Sequence, residues 1–144
     1  MDIEVIILIV GIFIQLFIAS VAFTSLLIIQ RINQRIIFNE VVKQERELRI
    51  KLNEYREEIS KRKSLGLDFN DIALDYDTLL FNYYEYLAIS VYKRLINEYI
   101  AELYFKTSLI YVKEQFESSI LFDQNFANRD EYPATIWLFN NWRI

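Results

Sequence analysis

Four carboxylates fall within ten residues, Asp68, Asp71, Asp75 and Asp77, and oxygen at that density suggests a calcium ion. A calcium loop places its oxygen ligands at alternate positions around a central Gly, and the spacing here follows no such pattern. Acidic residues in the first turns of a helix, where the backbone dipole favours negative charge, account for the cluster. The ten Tyr residues bring phenols that a catalytic pocket could use, but the sequence pairs them with no base. They read more simply as large apolar bodies whose hydroxyls reach water or a polar partner. The chain has no His and no Cys. That removes Ser and Cys triads of the usual type, imidazole- and thiolate-held metals, and the common general base of nucleases. Carboxylates, Lys and Tyr remain, and no convergent set of acid, base and electrophile can be named from them. The expectation is a protein that is not an enzyme and carries no metal or cofactor.

The remaining polar group of note is Gln15, inside "LIVGIFIQLFIASVAF". At 100° per residue, Gly11, Gln15, Ala19, Ala22 and Ser25 share about a third of a helix circumference. The rest of the wheel is Ile, Leu, Phe and Val, with Ser20 and Thr24 able to bond back to their own helix carbonyls. Small residues flanking one amide form the kind of strip that helices use to meet in lipid. Two arrangements satisfy it: a packed pair with Gln15 bonded across the seam, or a ring of copies with Gln15 facing a central opening.

The elements that must position these residues follow from composition. Two Gly and one Pro in 144 residues leave few breakers, so long helices are expected and the fold class is all-α. Val5 to Ile29 carries no charge and exceeds the roughly 20 residues that cross a bilayer. A cleaved signal with Ser20-Val21-Ala22 at its end is the rival reading. The acidic start at Asp2 and Glu4 and the apolar run beyond Ala22 speak for an anchor. Arg31, Arg35, Lys43, Arg46 and Arg49 follow the span and no Lys or Arg precedes it. The positive-inside rule then puts the amino terminus outside and the rest in the cytoplasm of a single-pass inner-membrane protein.

The net charge of −4 conceals segregation: residues 30–63 hold ten Lys or Arg against six Glu, residues 64–144 six against twelve Asp or Glu. Basic residues near the bilayer suit anionic lipid, while their interleaving with Glu argues against nucleic acid. Three regions result: a transmembrane helix at 1–30, an amphipathic extension at 31–64, and a helical domain at 65–144. In the extension Val41, Leu48, Leu52, Tyr55 and Ile59 form one stripe, for later helices or for another copy to cover. Gly66 caps that helix, and Asp68 or Asn70 opens the next. An antiparallel hairpin is expected from Asp71–Leu95 and Asn97–Phe122, with Asn97 as a cap. Its first helix presents Leu80, Tyr83, Tyr84, Leu87 and Val91. Its second presents Ile100, Leu103, Tyr104, Thr107, Ile110, Tyr111 and Phe116. A loop, "DQNFANRDEYP", leads to a short helix opened by Pro133 and carrying Trp137, Phe139 and Trp142.

The pattern "YYEYLAISVYKRLINEYIAELYF", with the aromatic end "YPATIWLFNNW", resembles the small prokaryotic proteins grouped as domain of unknown function 4760. The shared parts would be Tyr83–Leu87, Tyr92–Leu95, Tyr99–Tyr111 and Trp137–Trp142, within a resemblance that covers about half the chain. With one amino-terminal span, the chain is also similar to the membrane accessory proteins of type VI-B CRISPR systems. That resemblance implies a homo-oligomeric membrane pore that reinforces RNA-targeting antiviral immunity. The ribonuclease motif proposed in that setting pairs an Arg with a His several residues later. This chain has no His, so such a mechanism is closed to it.

The functional expectation is a self-assembling pore or membrane-perturbing effector. Gly11, Gln15, Ala19, Ala22 and Ser25 would provide helix packing or a pore lining. Tyr84, Tyr92, Trp137 and Trp142 would contact a protomer or partner. The alternative is a membrane-anchored adaptor that recruits a cytoplasmic protein partner without conducting.

Overall fold

The computed structural model describes residues 3–144, in which every regular element is helical and no strand occurs. Helix α1 runs Ile3–Ser64, α2 Asn70–Tyr92, α3 Glu98–Glu117, α4 Ile120–Asp123 and α5 Pro133–Asn141, with a 3₁₀ turn at Arg129–Glu131. Asp2, one of the two acidic residues before the apolar run, lies outside the described residues. The chain divides into two compact units, 1–36 and 37–144. The second takes in α1 from residue 37 onward, so most of the amphipathic extension, though not its residues 31–36, belongs with the helices that follow it.

Helix ends use one device repeatedly. At Gly66, with φ of 67°, the Leu67 amide bonds the Arg62 carbonyl at 2.9 Å and the Gly66 amide bonds that of Lys63 at 3.1 Å. This crossed pair with a left-handed residue is the Schellman closure. Arg94 (φ 56°), Asn125 (φ 57°) and Arg143 (φ 51°) close α2, α4 and α5 in the same way. A chain so poor in Gly places side-chain-bearing residues where the backbone favours none. At helix starts, Asn97 accepts from the Ile100 amide at 3.1 Å and caps α3 as expected. Asp68 accepts from the Asn70 amide at 3.0 Å, an acidic opening for α2.

The core of the 37–144 unit is built around α2, which packs on α3, α4 and α5. All five residues expected of α2, Leu80, Tyr83, Tyr84, Leu87 and Val91, are buried. Val41, Leu48 and Leu52 of α1 are buried with them, and Tyr55 is half-buried. Tyr83 ties the two helices by donating its hydroxyl to the Val41 carbonyl at 3.0 Å. Phe81, Phe116, Phe122, Tyr132 and Phe139 join α2, α3, α4 and α5 in one aromatic cluster. Phe81 meets Phe116 edge-on at 5.1 Å and stacks on Phe122 at 5.6 Å. Such ring geometries add to the area the rings bury.

Two expectations are corrected here. The helix expected over Asn97–Phe122 breaks at Ser118, because Ser119 turns inward to Asp77 and caps α4 through the Leu121 amide. On α3, only Phe116 of the seven expected packing residues is buried. The core takes Ala101, Phe105, Leu109 and Val112 instead. The helix carries apolar stripes on two opposite faces, and the stripe richer in large residues points away from the core.

Candidate functional site

Within the 1–36 unit, none of the described side chains is buried by the chain itself, and the helix is long and apolar enough to cross a membrane. Gln15, Ala19, Ala22 and Ser25 are exposed and Gly11 is half-exposed. A Cβ at Gly11 would meet nothing within 4 Å, so nothing in the chain's own packing calls for Gly there. Thr24 and Ser25 donate their hydroxyls to the carbonyls of Ser20 and Val21, both at 2.8 Å. These two hydroxyls are thereby satisfied within the helix. Among the described residues, none is hydrogen-bonded to the Gln15 side-chain amide.

The four expected contact residues separate. Tyr84 and Trp142 are 3% and 2% exposed, which makes them core residues and corrects their placement on a contact surface. Burial also pushes the Tyr84 hydroxyl up to about 12. The Trp142 indole donates to the Glu98 carboxylate at 3.3 Å, which fastens the chain end to the start of α3. Tyr92 is exposed and Trp137 half-buried, and their rings meet edge-on at 5.2 Å. They are the two of the four that reach the surface, and they do so together.

The structure corrects the reading of Asp77 as one of the charges at a helix start, and adds polar centres that the sequence did not single out. Asp77 is buried, and its carboxylate accepts from Ser119 and, at 2.9 Å, from Gln115. Desolvation raises its pKa, against the lowering effect of those two bonds. The signal was available, because Asp77 falls in register with the buried face of α2 at Leu80, Phe81 and Tyr84. Glu85 accepts from the Ala134 amide at 3.1 Å and from both the amide and the hydroxyl of Thr135 at 2.8 Å. It thereby caps α5, whose own N-cap, Tyr132, offers no side-chain bond.

Arg56 donates to the Tyr76 hydroxyl at 2.7 Å and to that of Tyr111 at 3.1 Å, with its guanidinium 5.5 Å from each ring centre. It borders an open groove of about 340 Å³, where the buried Glu45 holds Arg49. Burial, with a further contribution from the Tyr111 hydroxyl, pushes Tyr76 up to about 12. A phenol so placed stays protonated near neutrality and offers no base. No group of three acidic, His or Cys side chains able to hold a metal occurs among the described residues. The arrangement fixes helices together and presents surfaces. Neither a family model, a curated protein nor a solved structure matches the chain.

Proposed function

We propose that this is a single-span membrane protein whose copies associate within the bilayer through Gly11, Gln15, Ala19, Ala22 and Ser25 and act there as a pore-type or membrane-perturbing effector. The observation that carries the reading is the unpartnered Gln15 side-chain amide on the 1–36 part of α1, where the chain itself buries none of the described side chains. An amide exposed to hydrocarbon costs several kcal/mol on the order expected for an unbonded polar group. A second copy that supplies the missing bond removes that cost, and Gly11 lets the backbones come close. The basic residues after the span support, by the positive-inside rule, a 37–144 unit on the cytoplasmic side, with α2 and α3 read as its antiparallel hairpin. Prokaryotic antiviral defence of the CRISPR-associated kind is the setting that the resemblance implies.

The experiment is the mass of the detergent-extracted complex beside that of Gln15→Leu, followed by dye release from vesicles containing each. Several copies per complex, loosened by the substitution together with a loss of leakage, are expected. A complex unchanged in mass by Gln15→Leu would refute the role given to that face. The adaptor reading is kept by one observation, the large apolar residues that α3 turns to solvent. Under that reading vesicles containing the intact protein remain sealed.

A further inference from the structure

The outer face of α3 is apolar and uncovered. Tyr99 and Leu103 are each 70% exposed, Ile100 47% and Ile110 49%. At 100° per residue these side chains and Thr107 lie opposite Ala101, Phe105, Leu109 and Val112, which fill the core. Tyr104 and Tyr111 border the stripe, each 44% exposed. With roughly 150–250 Å² available per aromatic side chain, the patch exposes on the order of 600 Å². That is the upper end of what a monomer shows and approaches the roughly 800 Å² per partner of a stable interface.

We infer that this face is covered by the same face of a second copy, with the two α3 helices running antiparallel. The order of residues along the stripe is the argument. Centred between Leu103 and Thr107, an antiparallel pair sets Ile100 against Ile110 of the second copy, Leu103 against Thr107, and Tyr99 against Tyr111. The Ile and Tyr side chains each meet an apolar or aromatic one, and the small Thr opposite Leu103 lets the axes approach. Glu114, next along the stripe, then falls beside the amino-terminal end of the opposing helix, whose dipole favours a carboxylate. A parallel pair would instead set Glu114 against its own copy and align the two dipoles. The contact is isologous, so the same patch serves both copies. It uses no residue of the span and does not depend on how the span associates.

The absence of Cys makes the test clean. Leu103→Cys and Thr107→Cys are carried on differently tagged full-length copies, co-expressed in membranes and mildly oxidised. Mixed-tag disulfide dimers are expected, more abundant than either self-pair. Adding Ile110→Arg to both copies should cut their yield by about tenfold or more, since it buries an unpaired charge in the contact. Ile110 lies outside the core, so an unchanged thermal midpoint verifies that this variant still folds. Absence of the mixed dimer, while Gln15→Cys copies still cross-link, overturns the inference and leaves the span contact standing. Absence of both overturns the two together. A fluorophore on Leu103→Cys quenched by lipid-borne quenchers would assign the face to the bilayer surface and likewise overturn the inference.

Discussion

The protonation of Asp77 is tied to folding. Burial raises its carboxyl above the usual range, and the bonds from Ser119 and Gln115 offset only part of that. The folded protein therefore keeps this proton to a higher pH than the unfolded chain, whose Asp titrates near pH 4. Its contribution to stability falls as pH rises from about 4 through the folded pKa and is level above it. Asp77→Asn removes this dependence while still accepting from Ser119. Its unfolding midpoint should equal or exceed that of the parent at pH 7 and lose the decline between. Asp77→Ala leaves the Ser119 and Gln115 groups without their acceptor and should cost about 1–3 kcal/mol. Denaturant titrations at several pH values separate the two variants, and a steeper decline for Asp77→Asn would contradict the assignment.

At the scale of elements, two ends can be tested. Gly66 has a positive φ with open space around its Cα, so Gly66→Ala should lose about 1 kcal/mol from backbone strain alone. Urea unfolding reads that difference. Glu85→Ala removes three bonds from the start of α5. It should cost about 1–3 kcal/mol and speed amide exchange selectively in Pro133–Asn141. Exchange that rises equally throughout α2 would show instead that Glu85 supports the whole core.

These elements also mark what the sequence made legible. The scarcity of Gly and Pro foretold helices, and Gly66, Asn97 and Pro133 marked three of their boundaries. The buried face of α2 was legible because Leu80, Tyr83, Tyr84, Leu87 and Val91 make one stripe. The face of α3 was not, since periodicity finds apolar stripes but cannot say which of two the core will use. Tyr84 and Trp142 were misplaced for a related reason: an amphipathic ring serves a core and a contact equally well, and only the neighbours decide. Glu85 escaped notice because its partners lie about fifty residues away on α5.

For the whole molecule, the decisive fact is that every buried apolar side chain identified lies at or after Val41. The 1–36 unit contributes none of them, so exchanging its apolar residues leaves that core untouched. A chain in which residues 6–29 are replaced by a plain Leu-Ala helix of equal length should therefore reach the membrane and unfold at the parental midpoint. The two functional readings then diverge. An anchor requires only hydrophobic length, so an adaptor keeps its partner and its activity after the exchange. An effector that works through the Gly11, Gln15 and Ser25 face loses vesicle leakage and protection in cells together. Restoring Gly and Gln alone at 11 and 15 of the Leu-Ala helix should then recover part of the leakage, because the recognised feature is one hydrogen-bonding amide beside a close backbone approach. Recovery by Leu-rich length without the amide would identify the span as an anchor and leave any action to the helices that follow.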